Sequence, residues 1–312
     1  MKILFLNHWK SQCGVYEIGK RIFYIMDQSI LPMTYATISS VEEYIQTIEI
    51  HSPDLILYNY TPYLNTFLYD YILKYQKIKH IAIHHDPIDP ATIAKIELIF
   101  NAWIIHDENT NYFTGDKKFS TIRPIQRYER KNEPDFHNIS IGTHGLIASH
   151  WKMYDSIIEY INNIFDNVTI NMSLSIATFG KPLNVVLEYA NYCRTKVTKP
   201  DIKLNIIHDY FTSELDLIDW LAQNTMNIYF YNANPGSGAG VGGSADLAIS
   251  AQSSLAINDS YMYKHITNHL GFYNQYTLKN ALGNYKNVQK LYNEWSPERM
   301  TVDYKNMIDK IM

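Results

Sequence analysis

Short β-rich runs alternate with segments of helical apolar spacing along nearly the whole chain, and they do so twice. In the first half KILFLNH, TYATISS, DLILYNY, HIAIHHD and AWIIHD read as strands, with VYEIGKRIFYIMD, VEEYIQTIEIH and YLNTFLYDYILKYQ as helices between them. The charged, proline-containing stretch RYERKNEPDFHN (127–138) then reads as a linker. Beyond it NISIGTHG, VTINMSLSIA, IKLNIIHD, MNIYFYN and SSLAIND are strands, separated by WKMYDSIIEYINNIFD, PLNVVLEYANYCR, SELDLIDWLAQN and a helix after a glycine-rich loop. This alternation predicts βαβ units and parallel sheets rather than a sandwich or a bundle. The fold class is therefore α/β, with two doubly wound domains, and 312 residues accommodate two domains of about 150 each.

Local signals sharpen some boundaries. Ser213 and Asp216 resemble a capping box with Asp in place of Glu, and Pro297 in SPERMTVDYKNMIDKIM suits the first turn of a closing helix. Several strands end in polar residues: Asn7 and His8, Asn59 and Tyr60, His85 and Asp86, His106 and Asp107. In a parallel sheet these carboxyl ends share one edge, the edge at which ligands bind.

Composition narrows the class of partner. A content of 46% hydrophobic and 19% charged residues supports packed cores, and a net charge of −4 without a long basic run leaves no nucleic-acid or polybasic membrane footprint. The two cysteines, Cys13 and Cys193, suit no metal-ligand spacing, so a reducing compartment is the simpler expectation. The run after MK is too short for a signal peptide, and no stretch of about 18 apolar residues follows. A cytoplasmic protein without a transmembrane segment is expected. The 26 tyrosines, with abundant Ile, Asn and Lys, predict an A/T-rich genome.

The stretch GAGVGGSADLAISA (238–251) contains Gly238-x-Gly240-x-x-Gly243 after an apparent strand. A dinucleotide fingerprint needs its first glycine directly after the strand, so that the tight turn aims the helix at the pyrophosphate. Here Gly238 follows Tyr231 by seven residues, which disfavours NAD, and no Gly-Lys-Ser/Thr follows to make a Walker loop. Five glycines in residues 236–243 still let backbone N–H groups approach an anion, and the helix from Ser244 offers its positive end. A nucleotide-sugar diphosphate suits such a loop; a plain surface loop is the alternative.

At this point the chain resembles the two-Rossmann-domain glycosyltransferases of the GT-B fold. Cys13-Gly14-Val15-Tyr16 with the helix EIGKRIFYIM resembles the glycine-containing loop and first helix over which the donor sugar sits. HIAIHHDPIDP and AWIIHDEN resemble that family's strands ending in His and polar residues. IGTHGLIASHWKMYDSIIEYI resembles the opening strand, loop, Lys and helix of the donor-binding domain, and MNIYFYNANPGSGAGVGGSADLAISAQSSLAIND resembles the nucleotide-sugar loop, helix and strand.

The resemblance implies two Rossmann-like domains facing a cleft: residues 1–130 for the acceptor, 138–295 for the nucleotide-sugar, and 296–312 as a closing helix crossing back to the first. It implies metal-independent glycosyl transfer to an unidentified acceptor, be it a glycan, a lipid-linked sugar, a protein or a modified base. No cofactor is expected, the nucleotide-sugar being a substrate. Gly14, Lys152, Gly240, Gly242, Gly243 and Ser244 would hold the donor, with Lys152 on its phosphates. His85 would touch the donor sugar, with Asp86 as catalytic base or orienting partner. A His near a carboxylate suits removal of a hydroxyl proton, because His titrates near neutral pH. Neighbouring strand residues point to opposite faces, however, so the pair requires that the strand has ended. Adjacent His84, His85 and Asp86 rarely converge on one ion, and the sequence has no Asp-x-Asp; no metal site is expected.

The family's two glutamates fall near Gly240 and Ala248, and neither residue is acidic. Asp246 is left as the carboxylate of that helix, either for the ribose or for the helix N-terminus. His144 with His150, and Tyr261 with His265, are further candidates to line the cleft, with an exposed loop or a packing role as their alternatives. The missing glutamates keep a catalytically inactive nucleotide- or sugar-binding protein in view, and an NAD-dependent enzyme stands behind it.

Overall fold

The computed structural model describes the chain except for residues 12, 27, 61–67, 86–96, 108–116, 147–151, 176–181, 209–210 and 233–242, and it gives no account of the side chains at 146, 175 and 261. Two compact units emerge. Unit 1 comprises Met1–Gln126 with Trp295–Met312, and unit 2 comprises Arg127–Glu294.

Unit 1 is built on a six-stranded sheet. Its strands are β1 (Ile3–His8), β2 (Met33–Ile38), β3 (Leu55–Asn59), β4 (Lys79–His84), β5 (Ala102–Ile105) and β6 (Lys118–Ser120), in the order β2-β1-β3-β4-β5-β6. All pairings are parallel. Strands β1, β3 and β5 are buried at every position, as covering both faces of a parallel sheet requires. Helix α1 (Gly14–Ile25) buries Ile18, Ile22 and Ile25, one apolar stripe at helical spacing. Helix α2 (Val41–His51) starts at Ser40, whose hydroxyl accepts from the Glu43 N–H, while the Glu43 carboxylate accepts from the Ser39 N–H and hydroxyl.

Unit 2 carries a five-stranded parallel sheet of β7 (Ser140–Leu146), β8 (Val168–Ser175), β9 (Ile202–Ile207), β10 (Met226–Tyr229) and β11 (Ser254–Ile257), in the order β11-β10-β7-β8-β9. Its helices are α3 (Tyr154–Ile164), α4 (Leu183–Thr195), α5 (Glu214–Ala222), α6 (Gly243–Ser250), α7 (Lys264–Leu270) and α8 (Tyr285–Glu294). Ser213 caps α5 by accepting from the Asp216 N–H. The polar α8 buries only Val288, Leu291 and Tyr292, too short an apolar stripe to stand out in the sequence.

Helix α9 (Pro297–Ile311), with Ser296 at its cap and proline in its first turn, packs into unit 1. It buries Met300, Thr301, Tyr304, Met307 and Ile308. Both sheets are doubly wound: the chain reverses direction across the sheet between β1 and β3, and again between β7 and β10. Ligands of open parallel sheets bind beyond the carboxyl ends at such switch points. Among the described residues no helix is long and apolar enough to cross a membrane.

Candidate functional site

The unit 1 switch point places Asn7, near the end of β1, beside Asn59, at the end of β3. The Asn59 amide donates to Asn7 Oδ1 at 2.7 Å and to the Val15 carbonyl of α1 at 2.8 Å. Asn7 in turn donates to the Tyr16 carbonyl at 2.9 Å, and its Oδ1 accepts from the His8 N–H. This approach is open only because residue 19 is glycine: a Cβ there would stand 2.2 Å from Asn59 Nδ2.

The same amide sets the tautomer of His85. A backbone carbonyl can only accept, so Nδ2 must face Val15 and Oδ1 must face His85 Nε2, its hydrogen-bond partner. Nε2 therefore carries the proton. His85 is 4% exposed, and burial, with His106 and Arg123 nearby, holds its pKa well below the ordinary value. The ring is neutral and its lone pair sits on Nδ1, which has no hydrogen-bond partner among the described residues.

One expectation changes here. His85 does not titrate near neutrality, so it is a poor proton acceptor and a good hydrogen-bond acceptor. The partner that fixes its tautomer is the Asn59 amide; Asp86 lies outside the described residues.

Neighbouring groups complete the edge. His106, just beyond β5, donates from Nδ1 to the Ile122 carbonyl at 2.7 Å, and its Nε2 lies 2.8 Å from the Tyr304 hydroxyl of α9. His8 Nδ1 accepts from the Lys10 N–H, which leaves its Nε2–H towards Cys13 Sγ at 3.7 Å. Burial first, then Lys10, lowers the His8 pKa to about 4. Gly14 is exposed at the start of α1, with nothing within 4 Å of where a Cβ would stand, so packing does not demand glycine there.

In unit 2 the switch point gathers a different set. Lys152 pairs by backbone with Tyr231 beyond the end of β10, and its ammonium lies 5.5 Å from the Tyr231 ring centroid. Asn258 clamps Tyr231 by accepting from its N–H at 3.1 Å and donating to its carbonyl at 2.9 Å. The Tyr231 hydroxyl lies 3.3 Å from Ser244 Oγ, in the first turn of α6. Gly145, at φ +140°, lies under the ammonium: a Cβ there would meet Lys152 Nζ at 2.2 Å and the Tyr154 hydroxyl at 3.0 Å. That hydroxyl is buried without a hydrogen-bond partner, and burial holds its pKa well above the ordinary value, so it stays a donor. Lys152 is half-buried, and no carboxylate pairs with it among the described residues. A cation, an unsatisfied O–H and a helix N-terminus together have the chemistry to receive an anion.

Of the other candidates, Gly243 and Ser244 open α6, whereas Gly240, Gly242 and His150 lie outside the described residues. Asp246 is fully buried, and its Oδ1 lies 3.4 Å from His265 Nε2, itself 2% exposed. The carboxylate faces inward onto a histidine, an internal pair at the first turn of α6, where a carboxylate also favours the helix N-terminus. Ala248 is buried as well, which leaves α6 without a carboxylate turned outward. His144 is not on an exposed loop: it is buried on β7, with Nδ1 2.6 Å from the Tyr229 hydroxyl. The side chain of Tyr261 is not described. Sequence reasoning passed over Gly145, Tyr154, Tyr231 and Asn258 here; only the polar strand-end pattern pointed to Asn7 and Asn59. Among the described residues no group of three or more His, Cys, Asp or Glu could hold a metal ion.

No family model matches the chain, and no curated protein does. Solved structures match by shape. HepE of Anabaena in complex with UDP-glucose aligns with a TM-score of 0.69 at 13% identity, over 99% of this chain and 100% of that one. The lipopolysaccharide outer core galactosyltransferase WaaB, in its apo form, aligns at 0.63 and 10% identity over 100% of both chains. An alpha-glucosyltransferase in complex with UDP-glucose and DNA containing an abasic site aligns at 0.58 and 10% identity, over 100% of this chain and 99% of that one. The chain has the GT-B fold.

Proposed function

We propose that the chain is a glycosyltransferase that moves a sugar from a nucleotide-diphosphate donor to an acceptor hydroxyl. The observation that carries this reading is the half-buried Lys152 ammonium, without a paired carboxylate among the described residues, beside the unsatisfied Tyr154 hydroxyl and the start of α6. In transfer the bond from the anomeric carbon to the diphosphate breaks, a bond to the acceptor oxygen forms, and the proton of the acceptor hydroxyl passes to the departing diphosphate or to water. Negative charge grows on the leaving diphosphate, where a preorganised cation and O–H donor stabilise it most. Lys152 supplies that charge in place of a metal ion. His85 Nδ1 accepts from a sugar hydroxyl and so positions the sugar, since its depressed pKa makes it a weak base.

HepE and the alpha-glucosyltransferase were captured with UDP-glucose, which makes UDP-sugars the first donors to test. Thermal shift with UDP-, GDP-, ADP-, CDP- and TDP-sugars, followed by a hydrolysis assay on any hit, tests the reading. A hit that Lys152→Ala abolishes, with release of free sugar, supports it. The inward-facing Asp246 and the apolar Ala248 favour a second reading, a binding protein without turnover. Binding with neither hydrolysis nor transfer would select that one, and no binding at all would sink both.

A further inference from the structure

A second recess lies at the opposite end of the unit 2 sheet. Gln252 and Ser253 lead into the amino end of β11, whereas Lys152 and Ser244 stand at the carboxyl edge, so the length of the strands separates the two places. A cavity of about 640 Å³ opens there against linker residues 127–133, Gln252 and α8, within the ~300–1,000 Å³ range of small-molecule sites.

Its floor is fixed. Arg130 donates through Nη1 to the Ala251 and Gln252 carbonyls and to Ser253 Oγ, each at 2.8 Å, through Nη2 to the Ala222 carbonyl at 2.6 Å, and through Nε to the Asn132 carbonyl at 2.6 Å. The guanidinium is used up on these oxygens, and the Ala222, Ala251 and Gln252 carbonyls among them lie at the carboxyl ends of α5 and α6, where helix dipoles concentrate negative charge. Gln252, at φ 54°, sits in the left-handed region that a non-glycine residue keeps only when its surroundings impose it. Its amide donates to the Tyr128 carbonyl at 2.9 Å. Tyr292 closes the wall, accepting from the Tyr128 N–H and donating to the Tyr128 carbonyl.

The lining selects a chemistry. It has no aliphatic side chain, and its apolar surface is that of tyrosine rings and the stems of charged residues, interrupted by polar groups that an acyl chain would leave unpaired. The three lining cations, Arg127, Arg130 and Lys131, are matched by Glu129, Glu133 and the Asp219 carboxylate 3.3 Å from Lys131, and the Arg130 donors are already taken, so a phosphate or nucleic acid finds no net positive field. Amides and carboxylates interleaved with cations suit hydroxyls, which both donate and accept. Tyr285 offers a ring beside them, its hydroxyl accepting from Gln289 at 2.8 Å, and Arg127 lies over the Tyr292 ring at 5.1 Å. We propose that this cavity binds a neutral oligosaccharide of two or three sugar units, at a site separate from the Lys152 anion site. If the transfer reading above also holds, the cavity anchors a glycan acceptor or product; the binding itself does not depend on that reading.

Saturation-transfer NMR on the full chain with maltotriose, cellotriose, mannotriose, galactotriose and chitotriose tests the proposal. At least one is expected to bind, with affinity falling about tenfold or more in Tyr285→Ala and in Gln289→Ala. Both variants should keep the parent's unfolding midpoint and any donor thermal shift, and Lys152→Ala should bind the saccharide normally. The proposal is overturned if none of the five binds, if binding survives both cavity substitutions, if Lys152→Ala removes it, or if inorganic pyrophosphate displaces it.

Discussion

Gly19→Ala asks whether the close approach of α1 to the Asn59 amide is a demand of the fold. At an ordinary helix-interior glycine, alanine adds up to about 1 kcal/mol of stability. At Gly19 the new methyl would lie 2.2 Å from Asn59 Nδ2 and 2.5 Å from Cγ. Cγ is only one rotor from the backbone, and the amide is held by Asn7, Val15 and His85 in a fully buried position. Overpacking a filled interior costs about 1–3 kcal/mol, and each hydrogen bond released from the amide costs about 1 kcal/mol net. The sign of the usual substitution should therefore reverse, to a loss of about 2–4 kcal/mol. In an Asn59→Ala background the methyl meets no amide, so the same change should cost nothing or stabilise, a coupling of about 2 kcal/mol or more.

Urea unfolding of the four proteins, with hydrogen exchange on α1 and β1 peptides, reads both quantities. Exchange localises the effect in unit 1, which matters because a two-unit chain need not unfold in one step. A Gly19→Ala protein as stable as its parent, or an equal cost in both backgrounds, would refute the reasoning about Asn59 and with it the assigned tautomer of His85.

Three further outcomes follow from the same geometry. Gly145→Ala strains a backbone at φ +140° and drives a methyl into Lys152 Nζ, so donor-induced thermal shift should fall to the level of Lys152→Ala; an undiminished shift would show that the ammonium does not need that place. In the native protein an alkylating thiol probe at pH 8 should modify Cys13 and spare Cys193, which is buried with its pKa raised by burial to about 11; labelling of Cys193 first, followed by mass spectrometry, would contradict the packing of α4. Acid should weaken the fold through buried neutral histidines. The folded pKa of His8 is depressed to about 4 and those of His80 and His85 are lowered too, so the unfolded chain binds protons first; this stability is complete above the unfolded pKa of about 6.5 and is lost as pH falls towards about 4. A urea midpoint that stays level or rises between pH 7 and 5 would contradict that assignment.

The alternation of strand and helix was legible in the sequence because it is written in local periodicity: β1, β3, α2 and α5 each carry their own apolar spacing or cap within a dozen residues. The polar edge was legible too, since parallel strands with polar ends must bring those ends together whatever their order. The order itself was not, and it decided the rest. Placing β3 rather than β2 on the inner side of β1 sets Asn59 against Asn7 and α1, and only that contact leaves the His85 lone pair on Nδ1. Placing β10 beside β7 brings Tyr231 to Lys152. The inward turn of Asp246 onto His265, the buried seat of His144 on Tyr229 and the burial of α8 by three residues likewise rest on contacts between segments distant in the chain. Sequence by itself determined which elements form and which edge gathers the polar strand ends, because those depend on neighbours along the chain. Tertiary structure alone decided which polar groups are satisfied and which are left to bind, because a hydrogen bond's partner is set by packing in space.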